Sequence, residues 1–277
     1  MLIIAPANYP LFLPGVQALQ ALAAGNAVVW KPAAGGLAAA EALREVLVGC
    51  GLDPALLQLL DETPQAAADA IAAGVDKVFL TGSAATGTAV LSQLAAHRTP
   101  AVMELSGCDA VFVLSGAAQD RTVAALAFGL RLNGSATCMA PRRLFLVGKH
   151  PGLLPALLDL LKSLPPVALP AATQAQLADL LDEAQRLGGA VQMDGSTQAL
   201  RYAVISQATP EMRIAQSDIF APVLCIFDVP DVDAAIAAHS LCPYALTAAI
   251  FGPEREARAL ASRLPVGTVL ILSLIHI

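Results

Sequence analysis

The stretch KVFLTGSAATG, residues 77–87, changes character at its middle. Residues 77–81 are typical of a short β-strand, Gly82 and Ser83 interrupt the run, and an alanine-rich segment with helical spacing follows. A strand that passes through a glycine turn directly into a helix is typical of a βαβ unit. This stretch therefore indicates an α/β fold with parallel strands.

The same alternation extends in both directions from residues 77–87. Ala- and Leu-rich helical segments separate four further strand-like runs, which are LIIAP (2–6), AVVWK (27–31), LLQLL (56–60) and AVMEL (101–105). Repeated alternation predicts a parallel sheet with helices on both faces, and ligands bind beyond the carboxyl ends of such strands. We therefore expect a Rossmann-like first domain.

A second α/β unit follows the first. Its strand-like runs are AVFVL (110–114), RLFLV (143–147), APVLCIF (221–227), LTAAIF (246–251) and GTVLIL (267–272). The segment SLPPVALP (163–170) is typical of a proline-rich connection. The predicted boundary lies near Ser106 and Gly107, which gives domains at 1–106 and 107–272.

Composition excludes several classes of partner. The 277 residues carry 16 Lys and Arg against 22 Asp and Glu, for a net charge of −6, and no basic run is present. Such a chain is a poor candidate for binding nucleic acid or an anionic membrane. Every apolar stretch is interrupted before the roughly 18 residues that a membrane span needs, and no basic region precedes the apolar N-terminus. We expect a soluble, cytoplasmic protein with a small-molecule partner.

The cysteines and histidines indicate neither a disulfide framework nor a metal site. The five cysteines are odd in number, widely spaced and free of CxxC pairs, and they are Cys50, Cys108, Cys138, Cys225 and Cys242. The four histidines are scattered, and we interpret each as a surface or packing residue. This usage favours a reducing compartment.

Polar residues follow several of the predicted strands. Asn8 follows the first, Lys31 the second and TGSAATG (81–87) the fourth, while Glu104 closes the fifth. Singly, such residues are commonly turn formers, solvated cations or buried acids, and a cysteine such as Cys138 in NGSATCMAPRR (133–143) is commonly a small apolar side chain. Their shared position at strand ends favours a common site.

Taken together, these motifs resemble the aldehyde dehydrogenase superfamily. The matching segments are PANYP (6–10), GNAVVWKP (25–32), VDKVFLTGSAATG (75–87), MELSG (103–107), Asn133 to Cys138 and SDIFAPV (217–223). They occur in the family's order across about residues 1–272, with Asn8 and Lys31 separated by 23 residues and Glu104 and Cys138 by 34. The resemblance implies a cofactor domain followed by a catalytic domain.

The resemblance also implies a mechanism. The Cys138 thiolate would attack an aldehyde, and the side chain of Asn8 with the backbone N–H of Cys138 would hold the oxyanion. Hydride would pass to NAD or NADP, and Glu104 would activate water to hydrolyse the thioester. Arg142 and Arg143 would either favour the thiolate or serve a structural role.

Further residues are implied for the cofactor. Gly82, Ser83 and Gly87 would contact the pyrophosphate at a helix start, Lys31 the adenine ribose, and Asp218 and Phe220 the nicotinamide ribose. Family members that prefer NAD commonly carry a carboxylate three residues after the lysine. Here that residue is Ala34 and no acid follows before Glu41, so we expect use of both NAD and NADP.

This sequence also departs from the family pattern. Asp218 stands where Glu is usual, Ser135 and Ala136 replace Gly-Gln, and Ser106 replaces a common Gly. Family segments are missing at both ends, and residues 273–277 match nothing expected, which predicts a truncated member with a non-native tail whose full-length form is a homo-oligomer. The alternative is a catalytically silent fragment that binds nucleotide only. A CoA-acylating enzyme is less favoured, because Glu104 is available to activate water.

Overall fold

The computed structural model describes residues 1–274, and Ile275 to Ile277 lie outside the described part. The chain forms two compact units, Met1–Ser106 and a second that begins at Gly107. The predicted tail at 273–277 therefore falls mostly outside the described residues.

The first unit is built on a parallel five-stranded sheet. Its strands are β1 (Leu2–Ile4), β2 (Val28–Lys31), β3 (Leu57–Leu59), β4 (Val78–Thr81) and β5 (Ala101–Glu104), in the order β3-β2-β1-β4-β5. Its helices are α1 (Phe12–Ala23), α2 (Leu37–Gly49), α3 (Pro64–Ala73) and α4 (Ala84–His97).

Side-chain alternation on the central strand explains why helices cover both faces. Leu2 and Ile4 of β1 pack with the apolar residues of α3 and α4, whereas Ile3 packs with those of α1 and α2. Successive side chains of a strand point to opposite faces, and all three residues are buried. The parallel, doubly covered sheet predicted from the sequence is confirmed, as are its five strands.

The second unit contains a larger sheet in the order β13-β12-β6-β7-β11-β10-β8, with β9 also paired to β10. The strands are β6 (Asp109–Val113), β7 (Pro141–Val147), β8 (Val167–Ala168), β9 (Ala190–Gly195), β10 (Ala199–Ser206), β11 (Val223–Val229), β12 (Thr247–Phe251) and β13 (Thr268–Ile271). The helices are α5 (Gln119–Arg131), α6 (Leu153–Lys162), α7 (Ala171–Arg186), α8 (Val232–Ser240) and α9 (Glu254–Ala261).

This second sheet is mixed. The six strands from β13 to β10 run parallel, while β8 and β9 are antiparallel to β10. The five predicted strands of this unit are confirmed, but the sequence did not predict β8, β9 and β10. The segment 163–170, predicted as a connection, contains the two-residue strand β8.

Between residues 1 and 274, no helix is both long and apolar enough to cross a membrane. The same residues contain no group of three or more His, Cys, Asp or Glu side chains that could hold a metal ion.

Candidate active site

A cavity of about 440 Å³ lies in the first unit at the carboxyl ends of β1, β2 and β4. Lys31, at the end of β2, and Gly82, which follows β4, both line it. Lys31 is only 8% exposed, and burial lowers the pKa of its ammonium group while the carboxylates of Asp61 and Glu62 oppose that change. A nearly buried cation at the ends of parallel strands suits a phosphorylated ligand.

The turn before α4 is held by its own hydrogen bonds. The N–H of Gly82 donates to the carbonyl of Glu104 at 3.0 Å, and Ser83 caps α4 by accepting from the N–H of Thr86 at 3.2 Å. Gly87 lies outside the cavity lining, and a Cβ there would stand 2.7 Å from the side chain of Leu105. Gly87 therefore permits close packing of α4 on the chain after β5. Its contact with the pyrophosphate stays a prediction.

Asn8 and Glu104 belong to the same edge of the first sheet. Asn8 is half-buried and follows β1, and Glu104 is exposed at the end of β5. Because all five strands are parallel, both residues lie on the carboxyl side of the sheet, as Lys31 and Gly82 do. The structure thus places four of the predicted site residues of this unit at one sheet edge.

Cys138 lies in a tight loop of the second unit. α5 ends at Arg131, and a 3-10 turn over Leu132–Ser135 follows, in which Asn133, Gly134 and Ser135 all have positive φ. The Thr137 hydroxyl donates to the carbonyl of Leu132 at 3.2 Å and closes the loop. Cys138 emerges half-buried after this sequence of turns.

The surroundings of Cys138 have opposing effects on its acidity. Burial raises the pKa of the thiol most, and the carboxylates of Asp109 and Asp218 raise it further, whereas the backbone N–H groups of Met139 and of Cys138 itself lower it. The resting thiol therefore has a pKa above its ordinary value. The backbone dipoles of these two N–H groups favour its thiolate.

Arg142 is fully buried and structural. Its guanidinium donates to the hydroxyl of Ser135 at 3.1 Å, to the carbonyl of Ser135 at 2.7 Å and to the carbonyl of Ala221 at 2.6 Å. Ser135 has a φ of 69°, a conformation that favours glycine. Arg142 therefore compensates for a serine at a position where the family commonly has glycine.

Arg143 joins two other segments of the second unit. Its guanidinium donates to the carbonyls of Cys108 and His239 at 2.8 and 3.1 Å and contacts Nδ1 of His239 at 3.2 Å. Burial and the charge of Arg143 lower the pKa of His239 to about 4, so this histidine is neutral at physiological pH. His239 is a packing residue, as the sequence analysis expected, while His276 lies outside the described residues.

Asp109 is a buried acid next to the same loop. It is 4% exposed, accepts a hydrogen bond from the N–H of Thr247 at 3.1 Å and accepts another from the Thr247 hydroxyl. Burial raises its pKa to about 7, despite these hydrogen bonds and the charges of Arg143 and Arg142. Asp109 therefore titrates near neutrality beside the thiol of Cys138.

Gly107 packs closely against the Cys138 backbone. A Cβ on Gly107 would lie 2.2 Å from the carbonyl oxygen of Cys138, and real Cβ contacts essentially never fall below 3.0 Å. Only glycine fits here without displacing the loop. Asp218 and Phe220 lie half-buried before β11, and Asp218 is near enough to raise the pKa of Cys138.

The arrangement of a strand-end cavity and a half-buried cysteine loop agrees with a comparison of the whole chain with known families. A model of the aldehyde dehydrogenase family matches residues 1–274. The chain belongs to this family. The membership and the α/β fold predicted from the sequence are both confirmed.

Individual aldehyde dehydrogenases resemble the chain at moderate identity. The 4,4'-diapolycopene-4,4'-dial dehydrogenase of Cytobacillus firmus is 29% identical, over 92% of this chain and 58% of the relative. Betaine aldehyde dehydrogenase 2 of Rhizobium meliloti (strain 1021) is 28% identical, over 95% of this chain and 59% of the relative. The chain spans about half the length of the curated relatives it matches.

A solved aldehyde dehydrogenase structure matches both units. The NADP-dependent glyceraldehyde-3-phosphate dehydrogenase of Bacillus halodurans C-125, solved with NADP, superposes with a TM-score of 0.90. It is 27% identical and is matched over 99% of this chain and 61% of its own.

Sequence reasoning missed three residues of the candidate site. Gly107 was noticed only as part of the motif MELSG, although glycine next to a strand end can signal close backbone approach. Asp109 directly precedes the predicted strand at 110–114 and belongs to no motif. Glu62 lines the cavity beside Lys31 but comes from the chain between β3 and α3. The sequence interpretation considered only the residues that directly follow Lys31, and Glu62 lies outside that stretch.

Proposed function

We propose that this chain supplies the catalytic residues of an aldehyde dehydrogenase that oxidises an aldehyde to a carboxylic acid through a thioester on Cys138. The observation that carries the proposal is the Cys138 loop, a half-buried thiol faced by the backbone N–H groups of Met139 and Cys138. Family membership over residues 1–274 supports the same reaction class.

In the first step the Cys138 sulfur forms a bond to the aldehyde carbon, and the carbonyl oxygen takes the negative charge. The backbone N–H of Cys138 and the side-chain amide of Asn8 are the proposed donors to this oxyanion. Because the pKa of the thiol is raised, the thiolate is a minor species at rest, and its attack depends on these backbone dipoles.

Lys31, Gly82, Ser83 and the start of α4 are proposed to hold a nicotinamide dinucleotide, with Asp218 and Phe220 at its nicotinamide ribose. The cavity that Lys31 and Gly82 line fits the group, since it offers a nearly buried cation and a glycine turn at a helix start. When bound, the dinucleotide would supply the hydride acceptor for the carbon attached to Cys138.

In the second step Glu104 takes a proton from water, and the resulting hydroxide attacks the thioester carbon. The carbon–sulfur bond breaks, the carboxylic acid leaves and the Cys138 thiolate is regenerated. Glu104 is exposed at the end of β5, where water can reach it.

Location and assembly are part of the same proposal. All five cysteines are free, which is typical of a protein from a reducing compartment such as the cytoplasm. The full-length form is proposed to be a homo-oligomer that acts on a small-molecule aldehyde.

Replacing Cys138 by Ala tests this proposal. Production of NADH or NADPH from a panel of aldehydes should fall to background in C138A, whereas dinucleotide binding measured by calorimetry should stay within about twofold of the wild type, because only the covalent step needs the sulfur. C242A is the matched control, since Cys242 is another half-buried thiol of the same unit and has no role in the proposed chemistry.

Turnover in C138A comparable to that of C242A would refute the nucleophile. Dinucleotide binding without any turnover by the wild-type chain would favour the silent, nucleotide-binding alternative.

A further inference from the structure

Glu62 occupies the start of helix α2 from a different segment of the chain. The N–H of Leu37, the first residue of α2, donates to Oε1 of Glu62 at 2.8 Å. The N–H groups of Gly35 and Gly36 also face this carboxylate, and together with Leu37 they lower the pKa of Glu62. Glu62 is therefore a carboxylate held on the backbone donors of a helix N-terminus.

The same carboxylate lines the cavity that contains Lys31. Both residues belong to the lining, as does Ala34, which offers no charge. Among the described residues, the ammonium group of Lys31 has no hydrogen-bond or ion-pair partner, although the side chain is 8% exposed. A nearly buried cation without a direct partner suits an anionic ligand, and the proposed ligand is the dinucleotide of the family.

These positions decide how the cavity treats an additional phosphate. Lys31 and the N–H groups at the start of α2 are the two features that would attract one. The carboxylate of Glu62 already accepts from those N–H groups, so a phosphate placed there meets a fixed negative charge. A ribose hydroxyl in the same place can donate to the carboxylate instead.

We propose that Glu62 makes the dinucleotide site selective for NAD over NADP, a proposal that rests on the nucleotide site of the proposed function. Repulsion of the wrong ligand is an effective source of specificity. The carboxylate comes from the segment between β3 and α3, not from position 34, so the site has the repulsive group that Ala34 lacks. The proposal differs from the expectation that both cofactors are used, which rested only on the residues that follow Lys31 in the sequence.

The test compares two fragments that differ only in the phosphate concerned. Calorimetry should show that the wild-type chain binds adenosine 5'-monophosphate at least about tenfold more tightly than adenosine 2',5'-bisphosphate. In E62Q this ratio should fall by at least about tenfold, because the amide oxygen still accepts from Leu37 while the charge is gone. D61N is the matched control, since Asp61 is the other acid near Lys31 but bonds to Thr63 and lies outside the cavity lining. Its ratio should stay within about twofold of the wild type.

The salt dependence of binding to the wild-type chain gives a second test that needs no variant. Repulsion between exposed charges is screened by salt, so the preference for the monophosphate should shrink as ionic strength rises from about 0.02 to 0.5 M. Equal affinity of the wild type for both fragments, or an unchanged ratio in E62Q, would overturn the selectivity and leave the nucleotide site standing. Binding of neither fragment would overturn both the site and its selectivity.

Discussion

Replacing Gly107 by Ala would place a methyl group in the loop that carries Cys138. The new Cβ would lie 2.2 Å from the carbonyl oxygen of Cys138, with Leu246 also at 3.3 Å. Real Cβ contacts essentially never fall below 3.0 Å. The backbone at Gly107 and the carbonyl of Cys138 must therefore separate by about 0.8 Å. Both are backbone, so no flexible side chain can relieve the contact by rotating.

The size of the effect follows from this displacement. Overpacking of a buried site costs about 1–3 kcal/mol, and for a unit of this size each kcal/mol lowers the melting temperature by about 2–4 °C. A shift of nearly 1 Å in a reacting group can cost on the order of a hundredfold in rate. We therefore expect G107A to lose both stability and activity. Urea unfolding of the whole chain measures the first, and kcat/KM for aldehyde oxidation measures the second.

Gly49 provides the control for a glycine-to-alanine change. A Cβ there would meet no atom within 4 Å, and Gly49 is the last residue of helix α2. G49A should be neutral or slightly stabilising, because alanine favours helix. The steric reasoning would be refuted if G107A kept its kcat/KM and had a free energy of unfolding within about 0.5 kcal/mol of the wild type. Surface substitutions with no structural consequence commonly change stability by that much.

Two other predictions concern acids. E104Q should still form one equivalent of reduced cofactor per site in a rapid-mixing experiment but slow steady-state turnover by about 100-fold or more, because only thioester hydrolysis needs the base; normal steady-state turnover would contradict this role. The folded pKa of Asp109 is about 7 against 3.8 unfolded, so the folded state binds more protons between these values and its stability falls as pH rises toward and through 7. A shift of about three pKa units corresponds to as much as about 4 kcal/mol, so D109N should gain stability relative to the wild type between pH 5 and pH 8 in urea unfolding. Parallel pH profiles for the two proteins would show that Asp109 is not the titrating group.

The alternation of strands and helices was predictable because each parallel strand is a short apolar run bounded by glycine or polar residues. This applies to β4 and β12, whose residues are almost entirely apolar or β-branched. Strand β9 was missed because it is largely exposed and its sequence, AVQMDG, lacks an apolar run. It forms through antiparallel pairing with β10, a long-range interaction that no local pattern indicates.

The candidate site was predictable where its residues follow strands and not elsewhere. Lys31 and Glu104 close strands, so the topology alone places them at the carboxyl edge of the sheet. Glu62 belongs to a different connection from Lys31, and the hydrogen bond to Leu37 spans 25 residues. The role of Arg142 was undecided for the same reason. Its carbonyl partner Ala221 is 79 residues away, and local sequence cannot show which segment accepts its hydrogen bonds.

The strand order in the two units bears on how the chain folds during synthesis. Among the described residues, the five strands of the first sheet have all been made once β5 has been made, since each of their pairings lies between Leu2 and Glu104. In the second unit β6 is made first but pairs with β12, and the hydrogen bond between Asp109 and Thr247 spans 138 residues. One hydrogen-bonding edge of the wholly buried strand β6 therefore stays open until most of the unit has left the ribosome. Nascent chains stalled between β11 and β12 should carry a folded first unit and a second unit that depends on chaperones to avoid aggregation.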